Sequence, residues 1–345
     1  MANNPRGTMR PSNCVARWWQ TCCQFSLRGG TIPLPSTGTL LTGCCCNVLR
    51  ICPGTPSRSQ TLRPHHPGQA RMLCNCCAPT GVKRPPFPFA PAGERSIARA
   101  FAKAFARARS LVYIEDQYLW STEVAATLAG ALERNPELNV IVVVPRYPDS
   151  DGPLTGPPSR IGQLRAIGML RRGAPDRVGV FDLENSVGTP IYVHAKICIV
   201  DDIWVICGSS NFNRRSWTTD SELTCAVLDT TDGNGEPTSS EIGRDHSQPL
   251  AQNLRRQLWA EHLGLDRNDP RLDDPAAGLE LWNNTADVLD HWHETGRRAP
   301  RPSSRARHHT PQPVTPIQRL WALPVSRLVL DPDGRPRQLR GTAQF

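Results

Sequence analysis

From Asn139 to Val144 the chain reads Asn-Val-Ile-Val-Val-Val, an unbroken apolar and mostly β-branched run. Such a run suits a strand covered on both faces, because a half-exposed strand alternates apolar with polar residues. Leu111–Glu115 and Val178–Leu183 read as companion strands. Between them lie helical patterns. Glu94–Ser110 places Ile97, Phe101, Phe105 and Ala108 on one stripe, and Glu123–Arg134 and Arg160–Arg172 are helical by composition. Strands alternating with helices argue an α/β fold, a mixed, largely parallel β-sheet flanked by helices. Tyr147–Pro158 reads as a loop. Further on, Ile191–Val200 and Ile203–Cys207 are separated only by Asp201-Asp202, a hairpin signal. Leu223–Leu228 is another strand and Thr230–Ser240 a turn-rich linker. Leu250–Leu263 and Leu279–His293 read as peripheral helices, Arg297–Pro316 as extended, and Leu320–Leu330, broken by Pro324, as a late edge strand.

The first ninety-odd residues have a different texture. Met1–Gly93 contains no Asp or Glu, yet carries ten of the 40 Lys and Arg residues. The formal charge of +9 therefore belongs to this stretch, and the remainder is near neutral, which argues against a nucleic-acid groove. Ten of the 13 cysteines also lie here. Their runs, Cys22-Cys23 and Cys44-Cys45-Cys46, do not give the C-x2-C pairing of zinc sites, and His65-His66 is adjacent rather than spaced. The opening Met-Ala-Asn-Asn-Pro-Arg lacks the order of an export signal, which a disulfide domain would need. Residues 1–82 are thus expected to be disordered, or not native coding sequence. The expected catalytic domain spans 83–230, and 231–345 is expected to be a helical extension with a Pro/Arg-rich linker and a terminal strand. No apolar run reaches the length of a membrane helix.

The chemistry concentrates in His194-Ala-Lys196-Ile-Cys-Ile-Val-Asp201, followed by Gly208-Ser209-Ser210-Asn211. On an extended chain His194 and Lys196 project to the same side. Burying an imidazole and an ammonium in an apolar strand needs a reason. A lysine supplies compact positive charge and Ser and Asn supply neutral donors, a set that suits a tetrahedral phosphate. The histidine is the group poised for proton transfer or phosphoryl capture.

This spacing, H-x-K-x4-D-x6-G-S-x-N, resembles the motif of the phospholipase D superfamily. Tyr113-Ile-Glu-Asp-Gln-Tyr-Leu-Trp120 resembles the segment preceding the second such motif in lipid-acting phospholipases D, and Asn211-Phe-Asn-Arg-Arg-Ser216 resembles its continuation. The resemblance starts near Val82 and implies roles position by position. His194 would be a catalytic histidine. Lys196 and Asn211 would bind phosphate with help from Ser209. Glu222 would orient the histidine. The motif counts Asp201 in the catalytic set, whereas its place between two strands gives it the turn. Glu115, Gln117 and Tyr118 are candidates for the pocket wall or for structural roles at the sheet edge. The implied reaction is a two-step phosphodiester transfer through a phosphohistidine, with no metal or other cofactor. The implied partner is a phospholipid at a membrane surface, with a cytoplasmic or peripheral location and no nucleic acid.

Members of the family use two copies of the motif, and this sequence has one. None of the other eight histidines has a lysine two residues on. The copy present resembles the second, whose histidine acts as general acid. A homodimeric single-motif nuclease or phosphatidyltransferase, a missing first half, or an inactive truncated fragment are the open alternatives. Cys198, Cys207 and Cys225 read as inert thiols, Trp120, Trp204 and Trp217 as packing residues, and Arg297–His309 as a solvated tail.

Overall fold

The computed structural model describes residues 72–77, 81, 88, 90–147, 152–229, 250–340, 342 and 344–345, and for 72–77 the backbone alone. The cysteine and histidine runs before Met72, and the Thr230–Ser240 linker, lie outside these residues. Eight strands form one sheet: β1 (Met72–Cys77), β2 (Leu111–Glu115), β3 (Asn139–Val143), β4 (Val178–Leu183), β5 (Ile197–Val200), β6 (Trp204–Gly208), β7 (Thr224–Asp229) and β8 (Ala306–His308). Their spatial order is β1-β7-β6-β5-β2-β3-β4-β8.

The expected class holds, a mixed sheet flanked by helices, with a smaller parallel part than the sequence pattern suggests. Only β2–β3 and β3–β4 pair in parallel. The other five pairings are antiparallel. The reason is the connections: two helical crossovers build the parallel β2-β3-β4 centre, whereas β5 and β6 are joined by a tight turn that permits only antiparallel pairing, and the longer 209–223 connection returns β7 antiparallel beside β6. Within the β5–β6 hairpin, Asp201 and Asp202 both take left-handed backbone (φ 50° and 59°), as a type I′ turn requires.

One face of the sheet is covered by α1 (Ser96–Phe105), α2 (Thr122–Arg134) and α3 (Gly156–Arg172). Ile97, Phe101 and Phe105 of α1, as the stripe predicts, pack with Val112, Ile114, Val140 and Val142 in one buried cluster. Phe101 stacks on Trp217, centroids 5.0 Å apart and nearly parallel, in α4 (Arg214–Thr218). The other face is covered by α5 (Leu250–Leu263) and α6 (Gly278–Glu294), whose Trp259 and Trp282 pack against Tyr113. Arg255, fully buried on α5, makes a two-pronged bond to the hairpin carboxylate of Asp202 (2.6 and 2.8 Å). A buried carboxylate is tolerable only with such a partner.

Three expectations fail. Met72–Cys77 lies in the stretch read as unstructured, yet its backbone pairs with β7. Arg297–His309 is no solvated tail: β8 pairs with β4, His309 is buried against Asp182, and Arg301 bonds the buried Glu184. Leu320–Leu330 is helical rather than a strand: α7 (Pro316–Val325) runs into a π-helical turn at Ser326–Leu330. The missed signal is a capping box, Thr315-Pro-Ile-Gln318, in which the Thr315 hydroxyl accepts from the Gln318 N–H and the Gln318 carbonyl from the Thr315 N–H.

Candidate active site

The site's position follows from strand register. Glu115 pairs with Ile197, Ile197 with Cys207, and Cys207 with Cys225. These four residues form one row across β2, β5, β6 and β7, so the residues just beyond it emerge at one sheet edge: Gln117, Lys196, Ser209 and Glu222. The expected strand over Ile191–Val200 is correspondingly short. β5 begins at Ile197 because β2, its neighbour, turns away after Glu115. Tyr192, His194 and Lys196 therefore lie in an extended segment ahead of the strand.

Their common orientation is fixed by Gln117. Its amide nitrogen donates to the Tyr192 hydroxyl (2.5 Å) and its carbonyl accepts from Lys196 Nζ (3.0 Å). His194 lies between two residues that reach the same side chain, and its ring stacks near that of Tyr192, centroids 6.2 Å apart. Val193 and Ile197, of opposite parity, are buried, while His194 is exposed. Lys196 Nζ also donates to the His194 carbonyl (3.1 Å). Burial pushes the Lys196 pKa down, opposed by the charges of Asp116 and Glu222. The ammonium is thus partly desolvated, which strengthens its attraction for an anion.

The Gly208–Asn211 loop closes against this segment. The Gly208 N–H donates to the Lys196 carbonyl (3.3 Å) and the Ser209 N–H to the Leu223 carbonyl (3.0 Å). Glycine is required at 208 by close approach: a Cβ there would lie 2.6 Å from the Thr224 Cα and clash with the Leu223 carbonyl. Two buried polar atoms on the loop, Ser210 Oγ and Asn211 Oδ1, have no hydrogen-bond partner among the described residues. Buried polar atoms are normally paired, so these two are open to a further partner.

Glu222 is gripped by hydroxyls. Ser209 Oγ donates to its Oε2 and Ser216 Oγ to its Oε1 (3.0 Å). Ser209 therefore spends its proton on the carboxylate. Asp201 is not in the site. Its carboxylate accepts the backbone N–H groups of Arg109, Ser110 and Leu111 (2.7, 2.8 and 2.9 Å). These residues lead into the opposite end of β2, roughly 13 Å from Glu115 at strand spacing. Glu115 is buried and structural: its Oε1 bonds Tyr113 Oη (2.8 Å) and His262 Nε2 (3.0 Å). Tyr118 packs its ring on Trp120, centroids 3.9 Å apart.

Two residues of the site escaped the sequence reading. Tyr192 could have been found by carrying the two-residue period back from His194. Asp116 is fully buried, and its Oδ2 accepts the N–H groups of Tyr118 (2.6 Å) and Leu119 (3.0 Å), while its Oδ1 accepts that of Phe212 (2.9 Å). It clasps the loop carrying Gln117 to the loop carrying Asn211. The signal was an Asp directly after a strand, where the side chain caps backbone N–H groups two and three residues on. Burial raises its pKa, against the lowering effect of these N–H groups and of Lys196.

The sequence model of the family described as Phospholipase D matches residues 181–294, and that described as Cardiolipin synthase, PLD-like domain matches 101–236. Phospholipase D A of Dictyostelium discoideum is 31% identical over 207 residues, covering 50% of this chain and 16% of that protein. Phospholipase D alpha 3 of Arabidopsis thaliana is 25% identical over 260 residues, covering 57% of this chain and 31% of that protein. The chain thus spans less than a third of the length of these relatives. Among solved structures, the phosphatidylserine synthase of Haemophilus influenzae aligns over 64% of this chain and 43% of its own, at 16% identity and a TM-score of 0.35. With both sequence models meeting on the segment that holds His194, Lys196 and Asn211, the chain belongs to the phospholipase D superfamily, a group of phosphodiesterases.

Proposed function

We propose that this chain supplies one catalytic half of a phosphodiesterase acting on phospholipids. The observation that carries the reading is the convergence of Tyr192 and Lys196 on Gln117, with His194 between them and the Gly208 N–H bonded to the Lys196 carbonyl. In the reaction, an imidazole nitrogen of one histidine attacks phosphorus. The P–O bond to the leaving alcohol breaks, and a second, protonated histidine gives that oxygen its proton. Water then attacks the phosphohistidine, losing a proton to the second histidine as the N–P bond breaks. Transfer to another alcohol follows the same path. Lys196 and Asn211 hold the non-bridging oxygens, and Glu222, fixed by Ser209 and Ser216, keeps negative charge close to Lys196.

His194 serves as the general acid in this scheme. The nucleophile comes from a second motif, since the sequence has one His-x-Lys. A second copy of the chain would satisfy that need, which favours a homodimeric phosphodiesterase or phosphatidyltransferase as the second reading. The test is hydrolysis of a soluble short-chain phosphatidylcholine by the full chain, with a chelator present and with its oligomeric mass measured in parallel. His194→Ala is expected to abolish turnover without lowering the unfolding temperature, and the chelator to leave it unchanged. Undiminished turnover in His194→Ala would end the proposal.

A further inference from the structure

Away from the site, α3, α7 and the turn Ser326–Leu330 share a surface of unusual composition. These segments carry Arg160, Arg165, Arg171, Arg172, Arg319 and Arg327, and no Asp or Glu. Arg327 is matched by Glu123 (3.0 Å). Among the described residues Arg165 and Arg172 have no carboxylate partner, and the Arg319 side chain donates only to the Val314 carbonyl (3.2 Å). These three guanidinium-bearing residues line an open trough of about 530 Å³ between α3 and α7, whose floor includes Ile161, Leu164, Met169 and Leu323.

Beside the trough, α7 and the turn after it carry strongly exposed apolar residues on the side away from Ala322, Trp321 and Leu323, which pack inward. Ile317 is 77% exposed, Leu320 82% and Leu328 76%, whereas Ala322 is the one residue of α7 that is buried. Ile317 and Leu320 lie one helical turn apart on α7, and Leu328 follows in the π-helical turn. An amphipathic helix in a water-facing position normally shows the reverse pattern. Exposed leucines beside unpaired arginines match the requirements of an interfacial helix, which buries its apolar face at the acyl boundary while cations meet lipid phosphates. A nucleic acid would use the arginines and leave the leucines idle.

We propose that this face docks on an anionic phospholipid bilayer, with Ile317, Leu320 and Leu328 entering the acyl boundary and Arg165, Arg172 and Arg319 meeting lipid phosphates. The proposed function needs a protein at a lipid surface, but this docking does not use its chemistry. His194→Ala should bind vesicles like the parent, so failure of one reading is distinguishable from failure of the other.

The experiment is co-sedimentation of the full chain with vesicles of phosphatidylcholine alone and of phosphatidylcholine with phosphatidylglycerol. Binding is expected on the anionic vesicles and should fall with salt. Losing two surface cations in Arg165→Gln/Arg172→Gln should weaken it about thirtyfold. Leu320→Ser/Leu328→Ser should weaken it at least about tenfold. All four residues are solvent-facing or partly so, and thermal unfolding checks that both variants stay folded. Absence of anionic-vesicle binding in the parent, or variants that sediment like the parent, would overturn the proposal. So would a parent dimer that the serine variant splits without change in vesicle binding, since the face would then be a contact between copies.

Discussion

Removing the Asp116 carboxylate tests how the site is held together. Its two oxygens accept three backbone N–H groups in a fully buried position, from Tyr118, Leu119 and Phe212. One of them belongs to Leu119, whose left-handed backbone (φ 49°) is costly for a branched side chain and is held by this bond. In Asp116→Ala three donors lose their acceptor. A buried orphan N–H costs about 1–3 kcal/mol. Relief of the carboxylate's own burial and of the Leu119 strain offsets part of that, leaving a net loss of about 3 kcal/mol. At about 2–4 °C per kcal/mol for a chain of this size, the unfolding temperature should drop by about 6–12 °C. Asp116→Asn keeps one acceptor oxygen but turns an NH2 group toward the remaining donor, so it should fall between parent and alanine. The assay is thermal unfolding by circular dichroism, paired with turnover of a soluble phosphodiester. Activity should fall further than stability accounts for, because the Gln117 and Asn211 loops lose their mutual register. An alanine variant with parental unfolding temperature and turnover would refute the clasp.

Two other outcomes follow from the same structure. Burial raises the Asp331 pKa to about 6, while the Arg214 guanidinium helps hold Glu123 down at about 2 despite its burial. Folded Asp331 therefore binds a proton more readily than the unfolded residue, so its contribution declines as pH rises from about 4 to about 6; that of Glu123 is lost as pH falls from about 4.5 toward 2. Unfolding temperature measured across this range should decline between pH 4 and 6 in the parent, and Asp331→Asn should flatten that interval alone. Gly208→Ala should push β6 from β7 and release the Ser209 loop, lowering turnover at least about tenfold with a stability loss of about 1–3 kcal/mol; parental kinetics would show that the close approach is not needed.

Much of the architecture is legible from periodicity. Leu111–Glu115, Val178–Leu183 and Leu250–Leu263 appear with the bounds their patterns give, because continuous apolar runs and amphipathic stripes each have one economical burial. The proportion of parallel pairing was not legible, since it depends on which strands become neighbours. β8 was hidden for another reason. Its Arg307 and His308 look like solvent residues, and what holds them is a pair of carboxylates, Asp290 and Asp287, some twenty residues away on α6. In the candidate site, the two-residue period accounts for Tyr192 and Lys196 both reaching Gln117. The motif spacing misplaced Asp201, whose carboxylate serves the far end of β2, and could not find Asp116, whose partners on the 208–213 loop are a tertiary fact.

The central claim is that His194, Lys196 and Asn211 share one anion pocket. Crystals of the full chain soaked with tungstate, a tetrahedral phosphate analogue, test it directly. The account predicts a single strong peak within hydrogen-bond distance of Lys196 Nζ, the Asn211 side chain and a ring nitrogen of His194, lost in Lys196→Ala. Tungstate bound only elsewhere, or a His194 ring facing away from the lysine, would contradict it.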